Sequence, residues 1–250
     1  MNLARGMILP ARPISLKFGA VLSNLPEPPA RFGHYGLVTQ SWGMLGNNHL
    51  GSCVPCGYAH ETMLLGAMAG HTISFNETVV SFDYRAMNGN QPWPLNDRGT
   101  DIQQGAEWRR TRGIHDINGI RHRIDAYAEL PTGDVHALMQ AVNLLGVAGV
   151  GLSLPSDADQ EFEDKIPWSS TRPAPGAGHY VCAVGRNSAG NILVVTWGYL
   201  HAMSPAFFEK YNSISLAYLS REQLNGQGLS PDQYNADKLR EFIGGLGTPQ

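Results

Sequence analysis

Residues 47–53, Asn47-Asn48-His49-Leu50-Gly51-Ser52-Cys53, run straight into a segment, 53–69, with the composition of a helix. A cysteine in the first turn of a helix sits at the positive end of the macrodipole. Backbone N–H groups that have no partner within the helix also face it there. Both effects favour thiolate over thiol and so make a nucleophile. Asn47 stands ahead of the cysteine, where its side-chain amide can swing beside the sulfur and donate to a developing oxyanion. A base for such a thiol is offered by His179, in Gly178-His179-Tyr180-Val181-Cys182-Ala183-Val184-Gly185, which the sequence places at the opening of an apolar strand.

Composition narrows the classes. The chain has 250 residues and a formal net charge of −3, enough length for one large domain or two lobes sharing a cleft. No global field favours nucleic acid or an anionic membrane. The arginines Arg109, Arg110, Arg112, Arg121 and Arg123 read as a solvated surface. No apolar run reaches membrane-spanning length, and residues 1–10 lack the apolar core of a signal peptide. Three cysteines cannot all pair within the chain, so a reducing cytosol is the expected compartment.

Along the chain, residues 1–40 are proline-rich and aperiodic and read as an extended arm, laid over the body or reaching a neighbour. Helices are expected over 53–69, stopped by Gly70, over 76–87, capped by Asn76 or Ser74, and over 101–112, ended by Gly113. Residues 88–100 form a loop long enough to rim a binding site. Beyond 113 the pattern turns to strands: an extended stretch over 120–130, then strands at 147–154, 180–185, 192–197 and 214–219. Helices are interposed, one over 135–145 capped by Thr132 and a short one over 204–211. An amphipathic helix is expected over 232–242. Helices first and sheet second predict an α+β fold with a cleft between a helical lobe, about 41–112, and a sheet lobe, about 113–222, followed by a tail over 223–250.

Of nine histidines, His179 alone opens an apolar strand after a glycine-rich approach, Pro175-Gly176-Ala177-Gly178. His60 lies two helical turns beyond Cys53, about 10 Å away along the backbone, too far to serve its sulfur, and reads as structural. His49, His71, His115, His122, His136 and His201 read as solvated. Three other readings compete for the cysteines. Cys53-Val54-Pro55-Cys56 has the spacing of a redox pair, but a loop rather than a buried strand precedes it. Cys53, Cys56, His179 and Cys182 make a formal Cys₃His zinc set, yet 179 and 182 point to opposite faces of one strand. Cys56 and Cys182 are most simply small buried hydrophobes. The acidic run over 157–164 lacks the glycine of a tight calcium loop and reads as a solvated helix face. Neither metal nor cofactor is expected.

Taken in order and spacing, these motifs resemble those of the papain-like cysteine peptidases. That family has a glutamine six residues before the nucleophile, within a Gly-Ser-Cys opening the central helix. Here Asn47 holds the glutamine position and Gly51-Ser52-Cys53 supplies the rest. The family's base segment is similar to 179–185, and its following strand, leading into a Trp-Gly, is similar to Ile192-Leu193-Val194-Val195-Thr196-Trp197-Gly198. The layout also resembles papain-like proteins of bacteriophages and prophages, with Asn-x-x-x-Gly-x-Cys, Gly-His-Tyr-Val and Thr-Trp-Gly, then a Met-x-x-x-Phe met by Met203 and Phe207. The resemblance covers roughly residues 40–222.

It implies a two-lobed papain-like fold and a thiol hydrolase that cuts a peptide or isopeptide amide. Cys53 would be the nucleophile, His179 the base and Asn47 the oxyanion donor. Gly51, Ser52 and Gly178 would line the cleft, with Trp197 shielding the histidine. The family's orienting asparagine is absent: Val195 holds its position, and Thr196 is the nearest polar substitute. The implied partners are a peptide or protein substrate, phage structural proteins, or a second copy held through the arm, in a bacterial cytoplasm or a virion. A virion-associated assembly protein that keeps the fold without turnover, and a Cys53–Cys56 redox protein, are the alternatives.

Overall fold

The computed structural model describes residues 3–11, 25–90, 97–169, 171 and 176–242. Parts of the expected arm, of the 88–100 loop and of the C-terminal tail, together with Pro175, lie outside them. Strand β1 (Met7–Ile8) is followed by helices α1 (Cys53–Met68) and α2 (Glu77–Met87), strand β2 (Thr100–Asp101) and helix α3 (Ile102–Thr111). Then come β3 (Ile114–His115), β4 (Arg121–His122), β5 (Ala126–Leu130), α4 (Val135–Leu145), β6 (Ala148–Pro155) and α5 (Asp157–Glu163). The chain closes with β7 (Gly176–Arg186), β8 (Ile192–Thr196), β9 (Tyr199–Met203), α6 (Pro205–Tyr211), β10 (Asn212–Leu219) and α7 (Ala236–Phe242).

Six of the strands form one antiparallel sheet in the order β5-β10-β6-β7-β8-β9. Its middle strand β7 is apolar on both faces because it is covered on both. Tyr180, Cys182 and Val184 turn toward α1, while Val181 and Ala183 join the core under α4 and α6. Helix α1 is buried almost throughout, which explains why its sequence lacks a polar stripe. The α+β class and the helical-then-sheet order agree with the sequence reading.

Close approach of α1 to β7 depends on Gly57. The Tyr180 ring occupies the space a Cβ would fill there, and its hydroxyl donates to Glu61 Oε1 at 2.6 Å and lies 2.8 Å from the Tyr218 hydroxyl. Gly57→Ala is therefore expected to destabilise the fold by about 1–3 kcal/mol, despite alanine's better helix propensity. A fall in urea midpoint at unchanged m-value is the measurement.

Several local expectations are corrected. Asp134, not Thr132, caps α4, accepting from the Ala137 N–H at 2.9 Å; its carboxylate stands at the residue directly before the helix begins. Strand β9 was not foreseen, because Tyr199-Leu200-His201-Ala202-Met203 carries a histidine and follows a Trp-Gly that reads as a strand end. Arg109 is not a surface residue. It is 1 % exposed and ion-paired with Glu61 on α1, also donating to Thr62 Oγ1 at 3.2 Å, and its guanidinium lies 5.0 Å from the centres of the Tyr58 and Tyr218 rings. Buried charge survives here because it is paired and ringed by hydroxyls and aromatic faces. His122 and His201 are buried rather than solvated; His122 Nδ1 sits 2.9 Å from Glu222, and His115 Nδ1 sits 2.7 Å from Asp83.

Candidate active site

Cys53 is the first residue of α1, as the sequence predicts. Pro55 follows within the first turn, where its missing N–H leaves no intrahelical bond unmade. The N-cap Ser52 makes no capping bond; its hydroxyl lies 3.4 Å from the sulfur of Cys56 instead. The lead-in is held by the Asp97 carboxylate, which accepts from the Gly51 N–H at 2.8 Å and from the Tyr84 hydroxyl at 2.5 Å. Asp97 lies in the loop foreseen as a rim, but no motif singled it out.

His179 pairs with Leu152 within β7, three residues inside the strand rather than at its opening, because 176–178 pair with 153–155 of β6. Its side chain is fully buried. Nε2 lies 2.8 Å from Thr196 Oγ1, the hydroxyl at the end of β8. Nδ1 is buried without a hydrogen-bond partner. The Trp197 ring stacks on the imidazole, with centroids 4.3 Å apart and planes 22° apart. Burial, and then the nearby Arg5 charge, push the imidazole down from 6.5 to about 3, so it is neutral at physiological pH.

Trp197 reaches this position through an unusual turn. Trp197-Gly198 is the whole loop of the β8–β9 hairpin, with φ of 46° and 78°, the signature of a type I′ connection. A tryptophan in the left-handed region carries backbone strain. The stack on His179, the edge contacts with Phe162 and Trp168, and a 3.2 Å bond from Nε1 to the Ala4 carbonyl hold it there.

The arm closes the site. Ala4 N–H donates to the Asn47 carbonyl at 3.0 Å, and the Gly6 carbonyl accepts from Thr100 N–H at 2.7 Å. Met7 and Ile8 pair in parallel with Thr100 and Asp101. The Asn47 amide, expected at the oxyanion position, donates to the carbonyls of Ala4 at 3.1 Å and Leu50 at 3.0 Å. Met7 side-chain atoms fill the space beside Gly151 and Ile214, and its carbonyl presses on Gly178. Beneath the arm Cys53 is 1 % exposed. Burial pushes its thiol up from 9.0 to about 11, against the opposing pull of the Tyr180, Gly6, Val54 and Met7 N–H groups. The thiolate argued from the helix start is therefore overridden: under the arm, desolvation exceeds the dipole.

The other cysteine readings weaken on the same grounds. Cys56 turns to Ser52 and to the Leu45 carbonyl at 3.4 Å, and its thiol is pushed up to about 12, opposite to what a reactive redox pair needs. All three cysteines are free and buried. Cys182 packs with Leu64, Leu65 and Val195, away from the cluster holding Cys53 and Cys56. Among the described residues no three His, Cys, Asp or Glu side chains converge as a metal site. No described helix is long and apolar enough to cross a membrane.

No protein-family model and no curated protein matches the sequence. Solved structures do match in fold. Xylellain, a cysteine protease from Xylella fastidiosa, superposes with a TM-score of 0.64 at 12 % identity, over 88 % of this chain and 97 % of that one. Procathepsin L 3 of Tenebrio molitor larval midgut gives 0.61 at 13 % identity, over 87 % and 76 %. The Carica candamarcensis cysteine protease CMS1MS2, in complex with E-64, gives 0.56 at 16 % identity, over 77 % and 99 %. The fold is that of the papain-like cysteine proteases.

Proposed function

We propose that the protein is a thiol hydrolase of peptide or isopeptide amides, with Cys53 as nucleophile and His179 as base. The observation that carries this reading is the state of His179. It is a buried imidazole with one nitrogen held by Thr196, the other unpartnered, and a tryptophan stacked over it, one residue before the Tyr180 N–H that faces the Cys53 sulfur. With Nε2 turned to Thr196, Nδ1 keeps a free lone pair that can take a proton.

In the reaction, the Cys53 thiol gives its proton to Nδ1 as the sulfur bonds to the substrate carbonyl carbon. The carbonyl electrons move to oxygen, where the Cys53 N–H and, once free of Ala4, the Asn47 amide stabilise the charge. The C–N bond then breaks, and the leaving amine takes the proton from Nδ1. Water, deprotonated by the same nitrogen, releases the acid and restores the thiol. Thr196 keeps the ring in place throughout.

Cys53→Ala is expected to abolish hydrolysis of a quenched fluorescent peptide mixture; an unchanged rate would remove Cys53 from the mechanism. Thr196→Val is expected to lower kcat about five- to tenfold with KM unchanged, the effect of losing one neutral buried hydrogen bond that orients the base. An assembly protein of a phage particle, keeping the fold without turnover, is the second reading, and the sealed cleft is the observation that favours it. A variant with the arm displaced that neither labels at Cys53 nor cuts peptides would select that reading.

A further inference from the structure

Arg5 of the arm is seated in a cradle formed by three acceptors. Its Nη1 donates to the Leu154 carbonyl at 2.6 Å, its Nη2 to the Pro155 carbonyl at 3.3 Å, and the same nitrogen is ion-paired with the Asp159 carboxylate. Two backbone carbonyls at the end of β6 and one carboxylate at the start of α5 thus meet the edge of a planar guanidinium, which an ammonium would fill less completely. The Arg5 side chain is 13 % exposed. The carbonyls belong to residues two and three beyond the partner of His179, since Leu152 pairs with His179, Leu154 with Ala177 and Pro155 with Gly176. The charge held there is close enough to depress the imidazole's basicity.

The cradle therefore lies on the His179 side of the sulfur. Ala4, preceding Arg5, touches Asn47 and Trp197, the Gly6 and Met7 N–H groups face the Cys53 sulfur, and Met7 continues to Gly151 and Gly178. The general acid must protonate the leaving amine, so the part of a substrate that follows the cut bond occupies the His179 side.

Resting on the hydrolase reading, we propose that the Leu154–Pro155–Asp159 cradle is a guanidinium subsite, and that the enzyme takes peptides carrying arginine just after the cut bond. Arg5 of the arm occupies this subsite in the structure.

The test uses the full-length chain carrying Arg5→Ala and Gly6→Val, which vacate the cradle while leaving its acceptors intact. Binding is measured by fluorescence anisotropy with Cys53→Ala added, using labelled hexapeptides that differ only in Arg, Lys or Gln at one position. The arginine peptide is expected to bind at least about tenfold tighter than the glutamine one, about 1.4 kcal/mol. Asp159→Asn is expected to erase most of that difference and leave the glutamine peptide's affinity unchanged. Equal affinities, or a preference that survives Asp159→Asn, would overturn the subsite. Cleavage is measured separately in the variant retaining Cys53, with cut sites mapped by mass spectrometry; arginine is expected on the C-terminal side of the cut. Arginine found instead on the N-terminal side overturns the polarity. Arginine-selective binding without any cleavage overturns the hydrolase reading and leaves the guanidinium site standing.

Discussion

Gly6→Val is expected to raise the rate at which iodoacetamide labels Cys53 about 100-fold at pH 7. A Cβ at residue 6 would overlap the carbonyl of Gly51, and that backbone cannot retreat because Asp97 holds its N–H. The arm must then leave the cleft. Its departure lets water reach a thiol that burial holds at about 11, and a return toward the usual 9.0 gives ~100-fold more thiolate at neutral pH. Cys182 serves as an internal control, because it packs in a cluster separate from Met7 and Cys53. Peptide mapping should find the label on Cys53 alone. Labelling at the wild-type rate by a folded Gly6→Val protein would show that the arm does not seal the thiol.

Stability should fall steeply in acid. His179, His60 and His201 are held by burial at about 3, 4 and 4, against an ordinary value of 6.5. Between those limits the unfolded chain binds protons that the folded one refuses. The stability associated with the neutral histidines is therefore fully present above about pH 6.5 and is lost as pH falls toward 4, by on the order of 8 kcal/mol for the three at pH 4.5. Glu61 and Asp83, whose carboxyls burial pushes up, act in the opposite sense. A single variant isolates the histidine contribution. His60 lies outside the cleft, with Nε2 3.0 Å from the Gly43 carbonyl. The gap in urea midpoint between wild type and His60→Gln should be widest at pH 7 and shrink toward pH 4.5. A constant gap would show that His60 does not titrate between the two states.

The parts of the fold visible in the sequence are those written locally. The first turn of α1, the Asn76 cap, the Gly70 and Gly113 stops and the apolar strands all come from short-range chemistry, and the structure has each of them. Cys53, His179, Thr196 and Trp197 were legible as a set because their motifs are contiguous, and the fold brings the histidine, threonine and tryptophan into contact. What escaped was set by distant partners. Arg109 reads as surface until Glu61 is seen opposite it, from a helix 48 residues earlier. The docking of Ala4, Arg5 and Gly6 left no trace in periodicity, since a two-residue parallel pairing and a glycine fitted against a glycine carry none. Asn47 was identified as a donor, but its present acceptors belong to the arm and to its own loop.

The arm's attachment to the chain has a kinetic consequence for any molecule that seeks the cleft. A segment tied to its own site competes at an effective concentration set by the tether, about millimolar for a short flexible one. A free peptide of equal intrinsic affinity must exceed that concentration to displace it, and its apparent Kd is the intrinsic Kd divided by the fraction of time the cleft is open. Screening the intact chain with micromolar ligands would therefore underestimate every one of them by a common factor, and their rank order, rather than their absolute affinities, would report the chemistry of the cleft.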